Sequence, residues 1–177
     1  MLDVTFRTAA VELAYKYWLG KCPPVQMSGH IPSQIPSQIP SQISGQISGH
    51  IPGRVHIDPM EMVAFLPNIL LLDVQREPLD FRFRLVGTSV IPLLNRDYTG
   101  EWMSNISNLK APGKVWTNCS SAVEFAEPVY AFTPYTGPKR GIIDVEDLIL
   151  PMAADGSTVD MLMIILAATG KKPGRRE

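Results

Sequence analysis

The stretch from Val159 to Ala168, VDMLMIILAA, constrains this chain more than any other. In an extended strand alternate side chains face opposite sides. Val159, Met161, Met163 and Ile165 would share one side, and Leu162, Ile164 and Leu166 the other. A half-buried strand would carry polar residues on one of those sides. This strand is therefore expected in the middle of a sheet whose two faces are both covered. It holds about half of the roughly 20 apolar residues that a membrane-spanning helix requires, so it is not read as one.

The chain upstream supplies strands for that sheet. Asn68 to Gly100 reads as strand, turn, strand, short helix and polar loop. Ile69 to Val74 is apolar at nearly every position, and Glu77-Pro78-Leu79-Asp80 makes a turn. Phe81-Arg82-Phe83-Arg84-Leu85 then alternates strictly, which suits an edge strand with Arg82 and Arg84 outward, where charge discourages pairing with another sheet. Gly87 releases the strand, and Thr88 is expected to cap one helical turn through Leu94. Asn95-Arg96-Asp97 forms a polar loop before Tyr98-Thr99-Gly100. A helix follows Pro112-Gly113, from Lys114 to Phe125, with Val115, Trp116, Cys119, Ala122 and Val123 on its buried side. Val129 to Phe132 begins a third strand and Ile142 to Met152 forms a fourth. Asp155-Gly156 is the hairpin signal into the last.

At the N-terminal end Asp3 is expected to cap a helix running to Leu19 and ended by Gly20 and Pro23-Pro24. Phe6, Ala10, Leu13, Ala14 and Tyr17 recur at helical spacing, and Trp18 widens that stripe. A lone helix of this length is marginal in water and must dock. Its own sheet and a second subunit are both open as the docking partner. Further on, Asp58 and Pro59 occupy the N-cap and first position of a short helix through Leu66, which Pro67 stops.

Between these parts the chain repeats with a period of four: IPSQ, IPSQ, IPSQ, ISGQ, ISGH, IPGR, from Ile31 to Arg54. Pro32, Pro36, Pro40 and Pro52 rule out a helical ladder or a central strand. Isoleucines at this spacing cannot build a packed core. The array reads as a semi-flexible spacer; the alternative is a binding arm presenting Ile at every fourth residue. His30 and His50 fall at equivalent repeat positions. Neither they nor His56 has a carboxylate or thiolate at ligand spacing, so no metal site is assigned.

The chain's 177 residues suggest one domain with an appendage. Its net charge of -1 excludes a general basic field that would recruit nucleic acid or an anionic membrane. Lys139-Arg140 and the closing Lys171, Lys172, Arg175 and Arg176 are read as a solvated turn and tail. Cys22 and Cys119 form no C-x-x-C spacing, and no signal peptide opens the sequence, so a reduced cytoplasmic setting is expected. No Ser-His-Asp or Cys-His arrangement is visible, and the chain is read as not an enzyme. Asp144, Glu146 and Asp147 are read as solvated face and turn.

The order of these elements resembles a PAS domain, and more closely the bacterial PAS_5 family. The matching pieces are Pro52-x-Arg54-x-x-x-Asp58-Pro59, Leu66-Pro67 with Leu70-Leu71-Leu72-Asp73-Val74, and Phe83-Arg84-Leu85-Val86-Gly87-Thr88. Asn95-Arg96-Asp97-Tyr98-Thr99-Gly100, Leu148-Ile149-Leu150-Pro151, Asp155-Gly156 and Val159-Asp160-Met161-Leu162 continue the register. The similarity covers Arg54 to Ala168, with Tyr17-Trp18 in the N-terminal helix. The repeat array departs from the family and reads as an expansion upstream of the Pro-x-Arg element.

The resemblance implies an α+β fold: a PAS-like five-stranded antiparallel sheet with helices on one face, plus the N-terminal helix. The domains expected are an amphipathic helix over 1–22, a repeat linker over 23–53, the PAS-like domain over 54–169 and a basic tail over 170–177. The function implied is a sensory or regulatory module in bacterial signalling, acting by binding a small ligand or by protein association. The alternative is an interaction module without ligand, in which the array is spacer or arm. The partners expected are a small molecule and a second copy or another signalling protein, with neither nucleic acid nor membrane. The family pattern assigns no cofactor. Phe83, Tyr98, Trp102, Trp116, Phe125 and Met163 are the candidates to line a ligand cavity. Phe6, Leu13, Tyr17 and Trp18 are the candidates for docking the helix or forming a dimer.

Overall fold

The computed structural model describes residues 5–22, 51–135 and 142–171. The expectations for Asp3, for the array upstream of Ile51, for the Lys139-Arg140 turn and for the tail after Lys171 lie outside the described residues.

Five strands form one antiparallel sheet: β1 (Ile69–Arg76), β2 (Leu79–Val86), β3 (Val129–Pro134), β4 (Ile142–Met152) and β5 (Met161–Lys171). Their order across the sheet is β2-β1-β5-β4-β3. The doubly apolar β5 is central, as its sequence requires, with Leu71 opposite Met163 on one side and Leu150 opposite Met163 on the other. β2 is an edge strand, and the register shifts between Leu71 and Leu72, where Arg84 of β2 bulges out without a pairing partner. That outer edge is partly closed by the chain returning along it. The Phe83 N–H donates to Glu101 O at 2.9 Å, and Arg82 pairs with Trp102.

Strand alternation gives the sheet two different faces. On β4, Val145, Asp147 and Ile149 point one way; Glu146, Leu148 and Leu150 point the other. Helix α3 (Lys114–Phe125) lies over β3 and β4 on the first face and buries Cys119, Ala122 and Val123. Val115 is exposed and Trp116 only half-buried, so the buried stripe is narrower than the sequence suggested. Between β2 and α3 runs a connection that includes the single-turn α2 (Ile91–Leu94). Val90, not Thr88, is its N-cap.

Helix α1 (Ala9–Lys21) covers the second face against β4 and β5. It begins at Ala9 behind Thr8, later than a start at Asp3 would give, and its buried residues are Val11, Ala14, Tyr15 and Trp18. Trp18 is fully buried and its Nε1–H donates to Pro151 O at 2.9 Å. Leu13, assigned to the apolar stripe, is instead 45% exposed. The stripe is rotated by about one residue because a real helix buries the side facing its tertiary neighbour, and here Tyr15 and Val11 outbid Leu13 for that side. The helix thus docks on the sheet of its own chain.

Residues 51–68 lead into β1 and pack against both the β4–β5 turn and α1. Ile51 is buried, its N–H donating to Gly156 O, and Pro52 O accepts from Ala153 N–H. The last repeat unit therefore packs on the β4–β5 turn. Asp58 caps a 3-10 turn over Pro59–Met62 by accepting from Met60 N–H, and its own N–H donates to the Tyr17 hydroxyl at 2.8 Å. This turn ends at Met62, short of the expected Leu66, and a second 3-10 turn spans Leu66–Asn68.

Candidate functional site

Against the first face of the sheet lies a cavity of about 260 Å³. Its floor is the inward row of three strands: Leu70 and Leu72 from β1, Ile149 from β4, and Ile164 and Leu166 from β5, with Phe83 from β2 beside them. These positions are all apolar for the same reason that the strand reads as it does: each alternate residue of a central strand meets a covered face. Leu93, Met103 and Leu109 from the connection after β2 oppose the floor.

The cavity is not apolar throughout. Asn108, Lys114, Asn118, Thr133, Tyr135 and Asp147 line it toward α3 and β3, and Asn108 and Lys114 are exposed at its rim. Lys114 occupies the first turn of α3, and its Nζ donates to Thr133 Oγ1 at 3.0 Å. The Thr133 hydroxyl in turn bonds Asp147. Burial pushes the Asp147 carboxyl above the usual carboxylate range, opposed by the Lys114 ammonium and the Thr133 bond and reinforced by Glu146. Tyr135 ties the wall to the connection, its hydroxyl donating to Leu93 O at 2.8 Å.

Of the six aromatic and methionine residues expected to line this space, Phe83 does so. Tyr98 packs on Phe83 with ring centroids 5.7 Å apart and also carries the Arg96 guanidinium over its ring at 4.4 Å. Trp102 sits at the β2 edge beneath Arg82, and Trp116 packs edge-on against Phe81 at 5.2 Å. Phe125, at the end of α3, is 64% exposed. Met163 is fully buried but on the face under α1. The aliphatic floor was present in the sequence as the Leu162, Ile164, Leu166 row. Choosing that row over Met163 needed knowledge of which face the long helix covers.

The reading of Glu146 and Asp147 as solvated is corrected by the structure. Glu146 is fully buried beneath α1. Its Oε1 accepts from Arg7 N–H at 2.7 Å and from the Tyr130 hydroxyl at 2.8 Å, while Oε2 has no hydrogen-bond partner among the described residues. Burial and the bond to Glu146 push the Tyr130 phenol up to about 12. Phe6 packs on both Tyr15 and Tyr130, at 5.3 and 5.4 Å, so this end of α1 is held by a small aromatic cluster. Tyr17 packs on Phe65 and joins the helix to the turn at Asp58. Phe6, Tyr17 and Trp18 all serve the docking of α1 within the chain; Leu13 does not.

His56 Nδ1 accepts from Gly53 N–H at 3.0 Å, which occupies that nitrogen in a local turn. Among the described residues no helix is long and apolar enough to cross a membrane. Compared with known families, residues 42–167 match the one described as PAS domain (PAS_5). No curated protein and no solved structure matches the chain.

Proposed function

Because this chain belongs to the PAS_5 family of PAS domains, we propose that it senses a small molecule held in the cavity between the sheet and α3. PAS domains are in general sensory or regulatory modules, and this one reads as a non-catalytic, cytoplasmic member in bacterial signalling. The observation that carries the reading is the cavity itself. Its floor is apolar over three strands, its rim brings together Lys114, Thr133, Asn118 and Asp147, and few convergent polar groups in an apolar pocket are the usual make-up of a ligand site. Native mass spectrometry of the purified chain tests it. A bound species retained by the native chain and lost from Ile164→Phe, which fills the cavity from its floor, is the expected result. A chain that stays unliganded, and binds nothing on exposure to a cell extract, refutes it.

A second reading, association with another protein or a second copy without a ligand, draws on one observation. Val55, Met60 and Val63, on the segment just after the array, are 87%, 79% and 63% exposed. Replacing all three by Ser should lower the measured mass in light scattering if they form an interface. An unchanged mass removes this reading.

A further inference from the structure

The polar end of the cavity carries one group of each charge, and the two are held very differently. Asp147 sits on β4 with its backbone paired to Ala131 on one side and Leu166 on the other, so its short side chain has nowhere else to go. Lys114 is exposed on the first turn of α3, on a four-carbon stem that can swing into water. An exposed lysine can withdraw from an entering ligand, whereas Asp147 is confined to its face of the sheet. The fixed one is a hydrogen-bond acceptor. A ligand carboxylate would lie against Asp147 and be repelled, whereas an ammonium or other N–H donor would find in it a partner that it need not reorganise.

The size of the cavity narrows the class further. At about 260 Å³ it falls below the roughly 300–1,000 Å³ of sites for drug-sized ligands. One ring or a short aliphatic chain with a single head group fills it. Leu70, Leu72, Phe83, Ile149 and Ile164 would take the apolar body.

We propose that the sensed molecule is a small amphiphile with an aliphatic or monocyclic body and a hydrogen-bond-donating, cationic head, and that Asp147 is the group that selects it. The inference rests on the sensory-cavity reading above and specifies its ligand class. The half-buried setting of Asp147 fits this role, since a charge pair formed away from bulk water is screened less than one in it.

Isothermal titration of the full chain with three probes of similar shape tests it: 2-phenylethylamine, phenylacetate and n-propylbenzene. The amine is expected to bind about tenfold or more tighter than phenylacetate, as a hydrogen bond to a charged group would give. Asp147→Asn should bring the amine to the level of propylbenzene and leave propylbenzene unchanged. Lys114→Met should tighten the amine by removing a like charge, an effect opposite in sign to damage of the fold. Propylbenzene binding with no preference for the amine overturns the inference and leaves the cavity reading standing. Phenylacetate binding as tightly as the amine overturns it too. Failure of all three probes removes the cavity reading and this inference together.

Discussion

Glu146 and Asp147 are neighbours on β4 and face opposite sides of the sheet: Glu146 accepts from Arg7 and Tyr130 under α1, and Asp147 lines the cavity under α3. Two acidic residues adjacent in sequence thus serve two separate layers, and each can be altered without touching the other's partners.

For Glu146 the expected outcome depends on shape and acceptor, not on charge alone. Glu146→Ala leaves the Arg7 N–H and the half-buried Tyr130 hydroxyl without their acceptor. Unsatisfied groups of this kind cost about 1–3 kcal/mol each. Glu146→Gln keeps an oxygen in position and should fall well short of that loss. Urea denaturation of the two variants checks it, and equal midpoints would show that the bonds at Oε1 contribute nothing.

Asp147 gives the chain a pH dependence whose sign follows from the direction of its shift. Its carboxyl titrates higher in the folded chain than the ordinary value of 3.8. Its contribution to stability is therefore fully present below 3.8 and lost as pH rises through the raised folded value. Lys114 opposes the loss and Glu146 adds to it. Asp147→Asn should be at least as stable as the native chain at pH 7, with that advantage shrinking as pH falls toward 3.8. Thermal melts of both proteins in the same series of buffers read it, and an advantage that grows on acidification would reverse the assignment.

Trp18 anchors α1. Truncation to Ala removes a fully buried side chain and leaves Pro151 O without its donor, for which a loss of about 3–5 kcal/mol is expected. Trp18→Phe keeps most of the ring and should lose about 1–2 kcal/mol, chiefly the hydrogen bond. Chemical denaturation followed by circular dichroism separates the two. Equal losses would mean that the Nε1–H bond, and not packing of the ring, fixes the helix.

Gly87 is expected to tolerate no side chain. A Cβ there would overlap Pro67 O and come within 2.8 Å of Ile69 O, both of them backbone atoms that cannot rotate away. The Gly87 N–H also donates to Ile69 O at 2.7 Å, so the strand end and the turn before β1 are locked together. Gly87→Ala should cost more than the about 1 kcal/mol of a typical substitution, by forcing the backbone apart. A melting temperature within a degree or two of the native one would count against this close approach.

What could be read before the fold was known followed from local pattern. The run from Met161 to Ala168 points to a central strand because alternation leaves no polar face. Lys114 to Phe125 was bounded by Pro112-Gly113 and Pro128, and α3 spans those residues. Asp58 and Pro59 carried their own capping chemistry. Phase was harder. Leu13 and Val11 are both apolar, and only the sheet beneath α1 decides which one is buried. The lining of the cavity is hard to pick out for a similar reason: aromatic residues draw attention, yet apart from Phe83 its floor is aliphatic. The burial of Glu146 and the half-burial of Asp147 were illegible, since a strand carrying acids on both faces reads as solvated until a helix is found on each side.

The order β2-β1-β5-β4-β3 has a consequence for how such a chain is made. β1 and β4 do not touch; each is hydrogen-bonded to β5 instead. Of the five strands β5 is the last to leave the ribosome. Until it does, β1 and β4 lack the strand that their inner edges pair with, and the surface that α1 will cover has no centre. Synthesis of the final apolar strand is the event that joins them, so a ribosome stalled before Met161 would display two unpaired edges to whatever chaperone is near.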